Sequence, residues 1–474
     1  MAGDRPRLGG SRRPSHDGPQ APGASHPSQD RTRPSGTPQI TQDHIPPTRT
    51  PPASGIRAPR ATPFEALRGL ARRVDSETPP GRDRAVDALR ALAIGGVVLG
   101  HWLVTAIVYD SGTLRTTSPL RHLPGLAPAS WLFQTLAVFF LVGGYAAARS
   151  RSAKASATSS SARARAGAAA YRRWLGARLA RLFRPVVAVV LVWSAAAVAM
   201  LAAGAEAESV RGLVKLVVSP MWFLLVFAVL TAATPLVSRL HPLWPLAVVA
   251  SVDAVRYGLP QLDGGPAWLG WVNVVAGWLV PYSLGAAWAE GRLRSRTAGW
   301  VLLLGGTAGA AGLVAWAGYP AAMVGVPGAA ISNLDPPTLA AVAFGLAQCG
   351  AALLLLGPLR RVLRRPVAWA AVALVNLYAM TIFLWHQTAM IMVMALGLLA
   401  GRRLPGLHTV PDGPGWVVAR LGWLPVFGLA LVVCWTAFHR YERRPARIRR
   451  APSKQDLISY ETVSNKSMSG NMGS

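Results

Sequence analysis

Acidic residues are scarce in this 474-residue chain, with 20 Asp and Glu against 49 Lys and Arg, for a formal net charge of +29. Charge of either sign is scarce too: Asp, Glu, Lys and Arg make up 15% of the residues, where soluble proteins carry about a quarter. There are only two cysteines, Cys349 and Cys434, both inside apolar runs. That excludes a disulfide-stapled secreted domain and points to no metal site. No Cys/His cluster has zinc spacing, no Gly-x-Ser-x-Gly elbow occurs, and there is no Walker-type phosphate loop. No apolar core of signal-peptide type follows Met1. No internal repeat stands out, which weakens an inverted-repeat transporter.

Apolar residues make up 51% of the chain, with 17 Trp, and they come in long blocks. A helix needs about 20 such residues to cross the hydrocarbon core. Ten blocks qualify, at 86–108, 129–148, 185–204, 216–237, 242–256, 272–290, 299–318, 337–357, 370–400 and 420–438. The fold class expected is therefore an all-α polytopic membrane protein of about ten transmembrane helices, spanning residues 81–450. The fifth block is short and Pro-interrupted, and re-entry is open to it; the ninth is long enough to tilt or to continue past the membrane. Residues 1–80 hold 15 of the 38 prolines and too little apolar surface to offset ordering entropy, so a disordered arm is expected there. Inside it, Pro63–Val74 (PFEALRGLARRV) has the pattern of a basic amphipathic helix on a membrane surface. The Ser-rich stretch 451–474 reads as a disordered tail.

The excess of basic charge lies in alternate loops. Segment 149–184 holds ten Arg and Lys, 291–298 holds Arg292, Arg294 and Arg296, and 358–366 holds Arg360, Arg361, Arg364 and Arg365. The stretch after 438 adds six more arginines, while the intervening loops, counting Arg420 among them, carry far fewer. Cytoplasmic loops retain positive charge, so both termini are expected in the cytoplasm, in an inner (cytoplasmic) membrane. The same rule accounts for the net charge without nucleic acid, since no basic stretch is interleaved with aromatics.

Charges in or beside membrane helices are costly and need a reason. The first block, RDRAVDALRALAIGGVVLGHW, carries Asp87 and Arg90 at i, i+3, where they can pair. His101 follows Arg90 by eleven residues, about 20° past three full turns, so both share one face about 16 Å apart along the axis. Asp87 lies within about 40° of that face.

This pattern resembles the integral-membrane acyltransferase 3 family, whose first helix carries an Arg and, after ten residues, a His. Further pieces match in order. VFFLVGGYAAA (Val138–Ala148) is similar to the family's second-helix FF…GF block, and ARLARLFRP (Ala177–Pro185) supplies its Arg-x-x-Arg as Arg178 and Arg181. PMWFL (Pro220–Leu224) resembles its Trp-Phe-Leu opening, IFLWHQ (Ile382–Gln387) its YLWH block, and YERRP (Tyr441–Pro445) its closing Glu-Arg-Pro. The chain departs from the pattern at Gly143-Gly144, where the family often has a Ser before the Gly, and at Phe383, where it has Tyr.

The resemblance implies acyl transfer from cytoplasmic acyl-CoA, a co-substrate rather than a bound cofactor, to a hydroxyl of a sugar, glycan or glycosylated metabolite. O-acetylation in a bacterium is the expected setting, and the Arg- and Ala-rich usage fits a GC-rich bacterial genome. His101 and Arg90 are then the catalytic candidates. A neutral imidazole suits a general base near pH 7, and direct attack is simpler than a covalent acyl-enzyme. Arg178 and Arg181, with Arg90, suit the donor's phosphates, while Trp222 and His386 are candidates for lining the substrate site.

Structural readings stand beside these. An intramembrane His can be a helix–helix hydrogen-bonding group, as can Asn376. Arg178 and Arg181 can be topology charges, Gly143-Gly144 can serve helix packing alone, and Glu290 can simply pair with Arg292 or Arg294. The rival function is a transporter or exporter of a small molecule or glycan precursor, with the stripe on the first helix as its relay.

Overall fold

A computed structural model describes residues 62–110, 113–155, 163–258, 266–293, 295–329 and 331–441. The expected disorder of residues 1–61 and of 451–474 lies outside the described residues.

The described chain opens with α1 (Pro63–Ser76), the amphipathic island of the sequence. Its start is fixed by a capping box: Thr62 accepts from the Glu65 backbone N–H, and the Glu65 carboxylate accepts from the Thr62 N–H at 2.8 Å. This helix packs on a later one, α11, so continuous structure begins before residue 81, inside the segment assigned to the arm.

Nine helical stretches among the described residues are long and apolar enough to cross a bilayer. The first is α2 (Arg84–Val104). The second leads into α3 (Leu136–Ala155). The third is α4 (Arg163–Ala202), whose 40 residues run about 60 Å; the basic stretch before residue 185 thus largely continues a span. The fourth stretch, Ala207–Ala232, is bent at a 3-10 turn around Pro220 into α5 (Ala207–Val218) and α6 (Trp222–Ala232).

After α7 (Leu243–Tyr257) come α8 (Gly270–Ala289), α9 (Arg296–Trp316) and α10 (Leu339–Val362). The block expected as one long helix at 370–400 is two, α11 (Pro366–Leu377) and α12 (Ala379–Leu398), and the bundle closes with α13 (Pro414–Phe438). The break at Tyr378 follows Asn376, whose amide donates back to Val372 O at 3.0 Å and across to Asp87 O at 2.7 Å. A side chain that competes for backbone groups loosens the turn that follows. Not every element is helical: Ala106–Asp110 and Thr113–Thr117 pair as a short antiparallel hairpin beyond α2.

At 15 residues, α7 is the short fifth block. The contacts at its two ends set them toward opposite ends of α10. Before it, Ser238 accepts from Arg151 at the end of α3 at 2.8 Å. That end of α3 shares a cleft with the end of α10, through Arg149 and Arg360. Near its far end, Asp253 accepts from the N–H of Leu339, the first residue of α10, at 2.6 Å, from Asn273 at 2.8 Å and from the Tyr319 hydroxyl at 3.0 Å. The two ends of α10 lie about 36 Å apart, so α7 joins opposite faces. Burial, then the Asp253 carboxylate, hold the Tyr319 hydroxyl above its ordinary pKa, and it stays a donor in this node. The bundle therefore has a cleft face, bearing Asp83, Arg149 and Arg360, and a hairpin face, bearing the hairpin and the 317–338 loop.

A close helix approach explains Gly143-Gly144. A Cβ on Gly144 would lie 2.0 Å from Tyr282 O of α8, and one on Gly285 of α8 would lie 2.0 Å from Leu141 O of α3. A Cβ on Gly143 would meet the Phe227 ring at 2.3 Å. Bare backbone here lets α3 and α8 touch, as small residues do between membrane helices. Both cysteines are buried thiols. Gly144→Ala is expected to cost about 1–3 kcal/mol by overpacking, whereas Gly95→Ala, with no atom within 4 Å of its Cβ, should not destabilise. The melting temperatures of the two purified variants in detergent check this.

Candidate active site

His101 stands in the last turn of α2, three residues before its end. Its imidazole faces α12, where the His386 ring lies 5.1 Å away between centroids, tilted by 45°. The Gln387 amide nitrogen lies 3.3 Å from His101 Nδ1. The two helices are tied a second time where Trp102 Nε1 donates to the His386 carbonyl at 2.9 Å. His386 itself is buried. Its Nδ1 donates to Phe383 O, and its Nε2 has no partner among the described residues.

In front of His101 lies a cavity of about 410 Å³, within the range of small-molecule sites. His101, Gln387, Gln134, Trp222 and Phe223 line it. Thr116, Thr117 and Ser118 from the hairpin, Lys215 and Asp335 complete it toward the hairpin face. The Oε1 atoms of Gln134 and Gln387 are buried without a hydrogen-bond partner among the described residues. Buried amide oxygens are costly to leave unmade, and both side chains stand beside the cavity.

The other half of the stripe lies nearer the cleft face. Asp87 is buried and shared: Arg82 Nε donates to it at 2.5 Å, and Arg90 lies 3.6 Å away. Arg90 is within electrostatic range of Arg178 and Arg181 of α4. Arg178 is held in place, donating to Ala146 O at 3.0 Å and to Ser150 Oγ at 2.8 Å, over the Trp174 ring at 4.9 Å. Arg181 is exposed.

The six residues singled out in the sequence thus form two groups. His101, His386 and Trp222 meet at the cavity, with His386 behind His101 rather than on the cavity wall. Arg90, Arg178 and Arg181 meet about 16 Å away along α2. Glu290 pairs with Arg292 at 2.7 Å, and Asn376 bridges α11 to α2. Among the described residues, no group of three or more His, Cys, Asp or Glu is placed to hold a metal.

Two residues of the site were not picked out by the sequence reading. Gln387 follows His386 in an apolar helix, where a lone polar side chain is itself a signal. Arg420, counted with the loop charges, is instead fully buried in α13. Its guanidinium donates to Trp102 O at 2.7 Å, Thr105 O at 2.5 Å and Gly406 O at 2.8 Å, and it lies 4.9 Å over the Phe427 ring. A helix end leaves its last carbonyls open. Arg420 closes those of α2, next to His101, with no carboxylate involved. The clue was an arginine inside an apolar run.

This is a multi-pass membrane protein with an imidazole on a cavity wall and, toward the other end of the same helix, Arg90 near two arginines of α4. The family model for the acyltransferase domain of the acyltransferase 3 family matches residues 83–439, most of the chain, and the protein belongs to that family. It is a membrane acyltransferase. No curated protein and no solved structure matches it.

Arg420→Ala orphans three carbonyls, each worth about 1–3 kcal/mol. It should lower the melting temperature in detergent markedly, while Arg402→Ala, at an exposed site, should leave it unchanged.

Proposed function

We propose that the protein transfers an acyl group from acyl-CoA, presented at the cleft face, to a hydroxyl of a sugar, glycan or glycosylated metabolite in the cavity, with His101 as general base. The observation that carries this reading is the His101 imidazole on the wall of a cavity of about 410 Å³ that two glutamine side chains and the hydroxyl-bearing Thr116, Thr117 and Ser118 also line. His101 takes the proton of the acceptor hydroxyl as its oxygen attacks the thioester carbonyl. The tetrahedral intermediate then collapses, the C–S bond breaks, and the imidazolium returns the proton to the leaving thiolate. Arg90, Arg178 and Arg181 hold phosphate near the donor's reactive arm. The basic residues of the 358–366 segment and of α4 lie toward the cleft face, which supports that face as cytoplasmic in the cell membrane, with both termini on that side.

The base needs a bare ring nitrogen toward the cavity. A planar amide can sit in either of two isosteric orientations. With Gln387 Oε1 turned to His101, Nδ1–H donates to it and Nε2 carries the lone pair. Gln387 is thus a positioning residue that selects the productive tautomer, as the partner of a catalytic His generally does.

His101→Ala should lower kcat about 10²–10⁴-fold with normal membrane expression, read as free thiol released from acyl-CoA with and without candidate acceptors. Unchanged transfer would remove the proposal, and movement of an acceptor across the membrane without thiol release would favour a transporter. Gln387→Leu should depress kcat more than it raises KM. Gln387→Glu places a carboxylate that favours the imidazolium, so the acidic limb of the pH–rate profile should move to higher pH, since the base works only when neutral.

A further inference from the structure

On the cleft face, a second concavity of about 610 Å³ lies between the start of α2, the end of α3 and the turn that joins α10 to α11. Five arginines line it, Arg82, Arg84, Arg149, Arg360 and Arg364, against one carboxylate, Asp83. Two of the five are fixed by stacking: the guanidinium carbons of Arg82 and Arg84 lie 5.4 and 5.0 Å from the centre of the buried Trp369 ring. The indole is in turn anchored by donating to Thr78 Oγ1 at 2.7 Å, and Arg84 also donates to Leu363 O at 3.1 Å. Arg360 is spent on Asp83 at 2.7 Å. Arg149 and Arg364 have no carboxylate partner among the described residues, and both are exposed to the cleft.

Arg82 and Arg84 are held by Asp87 and Asp75 and frame the cleft. Arg149 lies over the Tyr145 ring at 5.8 Å and donates to its hydroxyl, and the planar guanidinium forks of Arg149 and Arg364 match phosphate oxygens. The cleft is also wired to the first-helix stripe. Arg82 lines it and binds Asp87, and Asp87 faces Arg90. On the neighbouring wall Arg149 adjoins Ser150, which accepts from Arg178.

We propose that this cleft is a phosphate-binding site, and that the group it takes is the phosphorylated nucleoside end of the thioester donor. This rests on the acyl-transfer reading above and adds residues to it: Arg149 and Arg364 hold the terminal phosphate, while Arg90, Arg178 and Arg181 serve the phosphates nearer the reactive arm. An anionic lipid headgroup offers the same chemistry, and the test separates the two.

The probe is adenosine 3′,5′-bisphosphate, titrated by calorimetry into full-length protein in nanodiscs of phosphatidylcholine, where no acyl transfer is needed. Wild type should bind it, and the Arg149→Ala/Arg364→Ala double variant should bind at least about tenfold more weakly with an unchanged melting temperature. Arg149→Lys/Arg364→Lys should recover part of the loss. In the transfer assay the double variant should raise KM for acyl-CoA with kcat retained. Equal binding of the bisphosphate by wild type and double variant would overturn the site. So would a double variant that keeps bisphosphate binding but loses a preference for phosphatidylglycerol nanodiscs, which would assign the arginines to lipid. Because binding is read without turnover, an inactive protein that still binds the bisphosphate through these arginines would count against the acyl-transfer chemistry and not against the cleft.

Discussion

In a membrane, a helix that ends inside the protein must find donors for its last carbonyls, because lipid supplies none. That requirement organises the candidate site. The end of α2 carries His101, and its open carbonyls at Trp102 and Thr105 are closed by the Arg420 guanidinium from α13. The cation is fully buried without an anion. It is compensated by three carbonyl oxygens and by the faces of Trp416 and Phe427. From that anchor follows the placement of Trp102 against the His386 carbonyl and of His101 against Gln387. The imidazole is therefore held at a fixed place and angle, which the base proposed for it would need.

The proposed function divides two tasks along one helix. At the cleft face α2 begins among arginines and is joined to them through Asp87. At the other end it finishes beside a cavity lined mainly by amides, hydroxyls and apolar or aromatic groups, with Lys215 and Asp335 also on its wall. Phosphate recognition and hydroxyl recognition call for different surroundings, one of dense positive charge and the other of directional hydrogen bonds within an apolar wall. About 26 Å of helix separates Arg84 from His101, so the two environments do not compromise each other.

Much of this was legible in the residues themselves. Long apolar blocks place the spans because hydrophobic length is a constraint the bilayer enforces on every crossing. The helical period puts Arg90 and His101 on one face because both lie in one uninterrupted helix. What remained hidden depends on contacts between distant segments. The apolar run around Arg420 hints at burial, but what the guanidinium binds does not show locally, since two of its carbonyl partners lie more than 300 residues earlier in the chain. The Tyr378 break depends on an Asn376 bond across to α2. The hairpin after α2 has no strong turn signal of its own. The glycines of α3 show their purpose only when the α8 backbone lies against them.

The brevity of α7 also bears on the surrounding lipid. Its 15 residues rise about 22 Å, some 8 Å less than the hydrocarbon thickness of an ordinary bilayer, and Leu243 and Trp244 at its start are exposed. Acyl chains alongside it must compress or splay to meet it, at a cost of fractions of a kcal/mol per ångström. A bilayer of ordinary thickness would have to thin there, and lipids with shorter tails should collect along that flank.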